Sequence, residues 1–369
     1  SNKLYRDDCS RSLRGLNLGT DTDFTNSLAL GDVDGDGGVD LLAGNYGQTN
    51  KLYLFDGSGA IPFEVEGVAI SSSKNTTSSV ALGDVDGDGD LDLFTANYDQ
   101  INGGKQYNTL YLNNSPGGFA ATGKDIGSAT DNTRSLAIGD VDGDGDLDVL
   151  SGNYRETNKW YLNDGNGSFA SGVAISSEQN KTLSLTLADV DGDGNLDVLA
   201  GNDLQTNTLY LNSGVDSDGA FKGFEIGLPI GSDTDTTKAL MLGDVDGDGN
   251  LDVLAGNGGR TPDGETSKLY LSNGVDSDGT FRGFENGVPI NRVLDNTSSL
   301  ALGDVDGDGD LDVLLGNYVG TNKLYLNDGT GVFVTNGSIG SHTDITFELI
   351  LGDVDGDGDL DVIAGNEQS

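Results

Sequence analysis

Apolar residues along this chain fall at every second position in short runs, and each run breaks at glycine. Ser27-Leu28-Ala29-Leu30, Ser135-Leu136-Ala137-Ile138 and Ser299-Leu300-Ala301-Leu302 each lead into a glycine-rich acidic turn, and Leu147-Asp148-Val149-Leu150 and Leu311-Asp312-Val313-Leu314 follow such turns. Period-two patterning rich in branched residues reads as β-strands, so each turn closes a hairpin. After a Gly-Asn or Ala-Asn pair and a variable loop comes a third strand: Lys51-Leu52-Tyr53-Leu54, Thr109-Leu110-Tyr111-Leu112, Lys159-Trp160-Tyr161-Leu162, Lys323-Leu324-Tyr325-Leu326. A fourth segment carries a Phe and an apolar end, as in residues 167–175. Helix-forming stretches are absent.

The hairpin turns begin at Asp32, Asp84, Asp140, Asp189, Asp244, Asp304 and Asp353, spaced by 52, 56, 49, 55, 60 and 49 residues. A four-strand unit repeating at that period is a propeller blade or a solenoid turn. The chain ends decide between them. The last unit stops at Gly365-Asn366-Glu367-Gln368-Ser369, where its third strand is due, and Asn2-Lys3-Leu4-Tyr5-Arg6 is such a strand, with residues 11–18 as the fourth. A blade shared by both ends closes a ring. The expectation is an all-β, seven-bladed propeller forming a single domain, with blades at 26–70, 79–127, 135–175, 183–231, 239–291, 298–340, and 347–366 plus 2–18.

Each turn reads D-x-D-G-D-G-x-x-D. Carboxylates at positions 1, 3 and 5 of a tight loop point to one centre, and a main-chain carbonyl at position 7 with a carboxylate at position 9 completes an oxygen cage. The ligand sets are therefore Asp32, Asp34, Asp36, Gly38 and Asp40; Asp84, Asp86, Asp88, Asp90 and Asp92; Asp140, Asp142, Asp144, Asp146 and Asp148; Asp189, Asp191, Asp193, Asn195 and Asp197; Asp244, Asp246, Asp248, Asn250 and Asp252; Asp304, Asp306, Asp308, Asp310 and Asp312; Asp353, Asp355, Asp357, Asp359 and Asp361. Variation at position 7 fits a ligand supplied by the backbone. Glycine at position 6 fits a positive φ. A flexible all-oxygen loop suits Ca2+ better than Mg2+, which holds its waters in near-octahedral sites. Zinc and copper want histidine or cysteine, and the chain has one of each, His342 and Cys9. Seven Ca2+ sites are expected. The loop is not an EF-hand, since position 12 is Ala43, Thr95, Ser151, Ala200, Ala255, Leu315 or Ala364 in place of a glutamate.

Charge narrows the partners. The formal net charge of −42 opposes nucleic acid and anionic lipid, both of which call for basic patches. No apolar run approaches membrane-spanning length. One cysteine permits no internal disulfide, so bound calcium takes the place of covalent staples, which suits the millimolar calcium outside cells. Extracellular or cell-surface residence is expected. The start inside a blade is what a processed piece of a longer protein would show, so a monomer or part of a longer chain is expected.

With these loops, the Gly-Asn that follows them and seven units, the chain resembles FG-GAP/VCBS repeats, the blades of integrin α-subunit propellers and of their bacterial and fungal relatives. The resemblance spans essentially the whole chain. It implies calcium on one face and a role in adhesion or glycan binding, as in fungal propeller lectins. Integrin propellers carry the loop in only some blades, whereas all seven carry it here; no Arg-Gly-Asp sequence occurs.

A ligand is expected on the face opposite the acidic hairpins, where the most variable loops emerge. Tyr46, Tyr98, Tyr154 and Tyr318 follow the Asn in four blades, and beside them Arg155 and Arg260 could help hold a sugar, with insertions at 101–107 and 260–265. Packing at the blade rims is the competing reading for these rings. Tyr5, Tyr53, Tyr111, Tyr161, Tyr210, Tyr270 and Tyr325 share one third-strand position and read as core, as does Trp160. The recurring Asn45, Asn97, Asn153, Asn202, Asn257, Asn317 and Asn366 read as turn caps. Outside the metal loops no converging acid–base pair is visible, so the chain is read as a non-enzymatic recognition module for a glycan or surface protein. A ligand-free scaffold of a larger surface protein, or a polysaccharide lyase, are the alternatives.

Overall fold

Seven four-stranded antiparallel sheets stand in a ring, each built from strands consecutive in sequence except the last. The computed structural model describes residues 2–6, 14–18, 22–55, 66–98, 106–114, 118–128, 130–259, 264–290, 293–340 and 345–367. Blade 3 is representative, with strands Thr133–Gly139, Asp148–Asn153, Lys159–Tyr161 and Val173–Ala174 in that order. First strands touch their neighbours in the next blades, so they are innermost and surround a central channel. In blade 7, Ile345–Gly352 and Asp361–Glu367 are completed by Lys3–Arg6 and Arg14–Asn17 from the other end of the chain. Leu4 pairs with Ile363 and Tyr5 with Val362, which closes the ring.

The hydrophobic core lies between blades. Each second strand is buried along its whole length, as in Asp148–Asn153, because both of its faces meet other sheets. Leu4, Ile363 and Val354 of blade 7 cluster with Leu28, Leu41 and Tyr53 of blade 1. One residue on, Tyr5 and Val362 turn the other way and cluster with Leu314, Leu324 and Ile339 of blade 6. The third-strand tyrosines are core, as expected, each with no more than 5 % of its surface exposed. Gly44 shows how closely the sheets approach: a Cβ there would lie 2.7 Å from a Val80 methyl of the next blade.

Fourth strands are shorter than the apolar pattern suggests. Residues 167–175 contribute only Val173–Ala174, with Phe169 reduced to a single bridge to Asn163. The outer strand has solvent on its far side and Val173 is half exposed, so little burial drives longer pairing. Among the described residues, only blade 6 builds a seven-residue fourth strand, Phe333–Ile339.

Two hydrogen-bond rings tie the blades together near the channel. Pairing shifts register one residue after the first-strand threonine, as between Thr133 and Ser135, and three residues after that threonine an amide of this edge strand points away from its own ladder. That amide bonds across to the neighbouring blade: Leu136 N donates to Ser79 Oγ (3.3 Å), Leu185 N to Ser135 Oγ (3.1 Å) and Leu349 N to Ser299 Oγ (3.0 Å). At the junction of the chain ends a glutamate takes the serine's place, and Leu28 N donates to Glu348 Oε2 at 2.6 Å. Further out, Thr133 Oγ1 donates to Asn153 Oδ1 (2.9 Å) in the same blade and accepts from Asn108 Nδ2 (3.1 Å) of the previous one. The recurring asparagines thus do cap their turns, as Asn153 Nδ2 to Thr157 O at 2.8 Å shows, and they also anchor the first strand.

Burial pushes the Glu348 carboxyl up to about 7, against the opposing bonds from Leu28 N and Ser27. A carboxyl whose pKa is raised on folding stabilises least once both states are ionised. Its contribution is present below the unfolded value near 4.5 and is lost as pH rises towards 7. Glu348→Gln is therefore expected to gain about 3 kcal/mol on wild type between pH 4.5 and pH 8. Urea unfolding of both proteins at the two pH values checks this, and parallel pH profiles would rule the effect out.

Candidate metal centres and the opposite face

Each acidic hairpin joins a first strand to a second, so all seven emerge on one face of the disc. The glycines at positions 4 and 6 take φ of 76° and 96° in blade 3 (Gly143 and Gly145), a region closed to most side chains. That bend wraps the loop about its first carboxylate. Asp140 Oδ1 accepts from Gly143 N (2.7 Å) and Asp144 N (3.1 Å), and its Oδ2 accepts from Gly145 N (3.0 Å). Asp144 Oδ1 accepts from Asp146 N at 3.0 Å, which fixes the position-7 peptide.

Position 9 is the buried end of the site. Asp148 Oδ2 accepts from Val141 N (3.0 Å) within the loop, and Oδ1 accepts from Asn163 N (2.9 Å) in the connection between third and fourth strands. Asp40, Asp92, Asp197 and Asp312 repeat both bonds. Burial drives these carboxyls upward, to about 7 for Asp148 and Asp197 and about 6 for Asp92 and Asp252, with the backbone bonds opposing and the neighbouring loop aspartates adding. At position 3, Asp86, Asp142, Asp191 and Asp246 are raised for the same first reason, followed by repulsion from the position-5 carboxylate.

Ligand-capable oxygens of Asp140, Asp142 and Asp148 lie within 4.8 Å of one another, as do those of Asp84, Asp86 and Asp92, of Asp189, Asp191 and Asp197, of Asp32, Asp34 and Asp36, and of Asp244, Asp246 and Asp248. The buried Oδ1 atoms of Asp86, Asp142 and Asp306 have no hydrogen-bond donor. Converging oxygens without donors, in a loop whose amides already hold the first carboxylate, fit a hard divalent cation. These clusters can hold metal ions.

Sequence reasoning missed the asparagine that stitches neighbouring loops. Asn163 Nδ2 of blade 3 donates to Val85 O in the blade 2 loop (2.9 Å), and Asn113, Asn212 and Asn327 do the same to Val33 O, Val141 O and Val245 O at 2.8 Å. The recurring Tyr-Leu-Asn at the end of the third strand was the available signal. The Val-Asp-Ser-Asp-Gly segments at 215–219 and 275–279 form local turns around Asp216 and Asp276.

On the opposite face the four tyrosines are packed. Tyr98 is buried, with the Arg134 guanidinium 3.7 Å above its ring. Tyr46 lies 5.2 Å from Phe24, and Tyr318 lies 5.5 Å from Phe347 with the Lys238 ammonium 5.3 Å from its ring centroid. Tyr154 is half-buried and its hydroxyl donates to Asp203 Oδ2 at 2.7 Å. Tyr98 is thus covered by Arg134 of the next blade, while Tyr46, Tyr154 and Tyr318 are half-buried at the rim. Arg155 is exposed, at φ 64°, in a turn where Gly47 and Leu204 also take positive φ. Arg260, Cys9, His342 and most of the insertion at 101–107 lie outside the described residues. Trp160 packs edge-on against Phe221 and Phe224.

Comparison with known proteins agrees with this architecture. The family model described as FG-GAP-like repeat matches residues 18–95, 96–151, 140–200, 189–255, 244–315 and 304–364. Among solved structures, the BP39L lectin from Burkholderia pseudomallei aligns with a TM-score of 0.65 and 16% identity over 93% of each chain. BBS1N in complex with ARL6DN, soaked with lead, aligns with a TM-score of 0.56 and 10% identity over 100% of this chain and 98% of that one. At such identities the likeness is one of fold. No curated protein matches the chain.

Proposed function

The chain belongs to the FG-GAP-like repeat family, and from that premise we propose that it is an extracellular recognition module, a disc riveted by one Ca2+ per blade that binds a glycan or a surface protein without chemical turnover. The observation that carries the reading is the repeated cage: every blade has a full D-x-D-G-D-G-x-x-D loop, and three of the buried position-3 oxygens lack any donor. Among hard cations, calcium suits a flexible all-oxygen loop, and loops of this class fill at the millimolar concentrations found outside cells. The lectin fold shared with BP39L supports recognition as the task. Placement of the variable loops together on the face away from the metal supports that face as the binding surface.

Two measurements test the reading. Native mass spectrometry is expected to show seven calcium ions on wild type and six on Asp142→Ala, and an unloaded protein at millimolar calcium would refute the metal assignment. A broad glycan array, probed with and without chelator, is expected to give saturable binding that chelation abolishes. No binding to any glycan, together with none to cell-surface protein, would leave the ligand-free scaffold as the better account.

A further inference from the structure

The acidic loops are not alike at position 7. Blades 2, 3, 6 and 7 have aspartate there, so each of those loops carries five acidic side chains, whereas Asn195 and Asn250 leave the loops of blades 4 and 5 with four. The amide has work in the loop. Asn195 Nδ2 donates to Asp193 Oδ2 and Asn250 Nδ2 to Asp248 Oδ2, both at 2.9 Å, while the main-chain N–H of each asparagine donates to Oδ1 of the same aspartate at 2.8 Å. The position-5 carboxylate is thereby held at both oxygens by one neighbour, and an ionised aspartate at position 7 has no side-chain N–H to do this. In both kinds of blade the position-7 side chain lies under the turn after the third strand. A Cβ on Gly274 would come within 2.9 Å of Asn250 Oδ1, and one on Gly165 within 2.6 Å of Asp146 Oδ2.

A second difference falls in the same two blades. The residue after the outer phenylalanine has one place in five blades. Ala120, Ala170, Glu225 and Glu285 donate their N–H to the carbonyls of Leu112, Leu162, Leu211 and Leu271 at 2.7, 3.0, 2.8 and 2.8 Å, and Val334 pairs with Leu326. Among these described segments, blades 4 and 5 alone have an acid there; the outer segment of blade 1, which has Gly38 at position 7, lies outside the described residues. The place adjoins the cage. Phe224 bridges to Asn212, whose N–H donates to the position-9 Asp197 Oδ1, and Phe284 bridges to Ser272, whose N–H donates to Asp252 Oδ1, both at 2.8 Å. Both glutamates are exposed. After burial and the loop's own aspartates, Glu225 adds its repulsion at the position-3 Asp191, and Glu285 does so at Asp246.

Calcium takes roughly six to eight oxygens, and five loop positions leave room for help from outside. We propose that Glu225 and Glu285 are accessory metal-holding residues of the blade 4 and blade 5 cages, setting beside the ion the carboxylate that position 7 lacks in those blades. The assignment rests on the calcium reading above. Oxygen loops tune their affinity by ligand charge and by rigidity. Each glutamate restores the charge, and each asparagine stiffens the position-5 carboxylate.

Hydrogen exchange of the full chain, followed while calcium is titrated, reads the protection midpoint of each acidic loop separately. In Glu225→Gln the midpoint of loop 189–197 is expected to move to about fivefold higher calcium, with loop 140–148 unchanged, and Glu285→Gln should do the same to loop 244–252. Adding Asn195→Asp to Glu225→Gln should return loop 189–197 to its wild-type midpoint, because a carboxylate is given back at position 7. Asp216→Asn removes an exposed acid whose bonds to Asp218 N and Ala220 N stay within its own turn, and it should leave every midpoint in place. Thermal unfolding of each variant in saturating calcium checks that the disc is intact. An unmoved 189–197 midpoint in folded Glu225→Gln, an equal shift in all loops, or no rescue by Asn195→Asp would each overturn the assignment while leaving the calcium reading standing. Wild-type loops without any calcium-dependent protection would sink the calcium reading and the assignment with it.

Discussion

Calcium-free protein, prepared with excess chelator, is expected to unfold about 15 °C or more below the calcium-loaded protein. At free calcium ten times its dissociation constant, each site adds about 1.4 kcal/mol by mass action, so seven sites add about 10 kcal/mol. That is comparable with the net stability of a whole domain, and a change of this size moves the midpoint of a large single domain by many degrees. The structure explains why the apo loops cannot substitute for the ion. The buried position-3 oxygens of Asp86, Asp142 and Asp306 find no donor, and position-9 carboxyls such as Asp148 and Asp197 are already driven to about 7 by burial and crowding. The loops are also linked to one another, since Asn163 of blade 3 holds Val85 O in the blade 2 loop. Slackening one loop therefore loosens its neighbour, and loss should be cooperative around the ring. Differential scanning calorimetry with and without chelator measures the effect. Coincident transitions would show that the acidic loops are not cages.

Removing residues 1–6 is expected to destabilise the disc by about 5 kcal/mol or more. These few residues serve two interfaces at once: Leu4 packs into the cluster with blade 1 and Tyr5 into the cluster with blade 6. Both are almost wholly buried, at 1% and 2% exposure. Asn2 Oδ1 also accepts from Asn366 N at 3.2 Å, so the last turn of the chain is capped from its beginning. Without the strand, the edge of Asp361–Glu367 is left unpaired, an invitation to pair with a second copy. Tyr5→Ala alone should cost about 3–5 kcal/mol, the usual penalty for deleting a buried aromatic ring. Urea titration followed by light scattering would read both the loss of stability and any association. A truncated protein that unfolds with the wild-type midpoint would show that closure by the terminal strand contributes nothing.

Much of this molecule was legible because its chemistry is local. All the carboxylates of one cage fall within nine residues, so their spacing alone reveals the site. Period-two runs and glycine turns likewise reveal strands, because side chains alternate across a sheet whatever the sheet packs against. Tyr161 and its six counterparts were readable as core from their repeated place in the third strand. The short outer strands were not, since burial falls away at the rim and the Phe-containing segment pairs at only one bridge, Asn163 with Phe169. Nor was the covering of Tyr98, since the Arg134 that lies over it comes from the next blade.

The sequence by itself determined the strand count, the closed seven-fold ring and the acidic loops, because each depends on residues near one another along the chain or on the simple recurrence of a unit. Tertiary structure alone decided that Asp148 anchors a connection as well as facing the cage, that Glu348 locks the ring to Leu28 at a separation of 320 residues, and that Arg134 reaches the channel without a carboxylate partner among the described residues. The contacts of Glu348 and Arg134 join different blades, and their geometry is set by how closely sheets pack around a common axis, which no local spacing records.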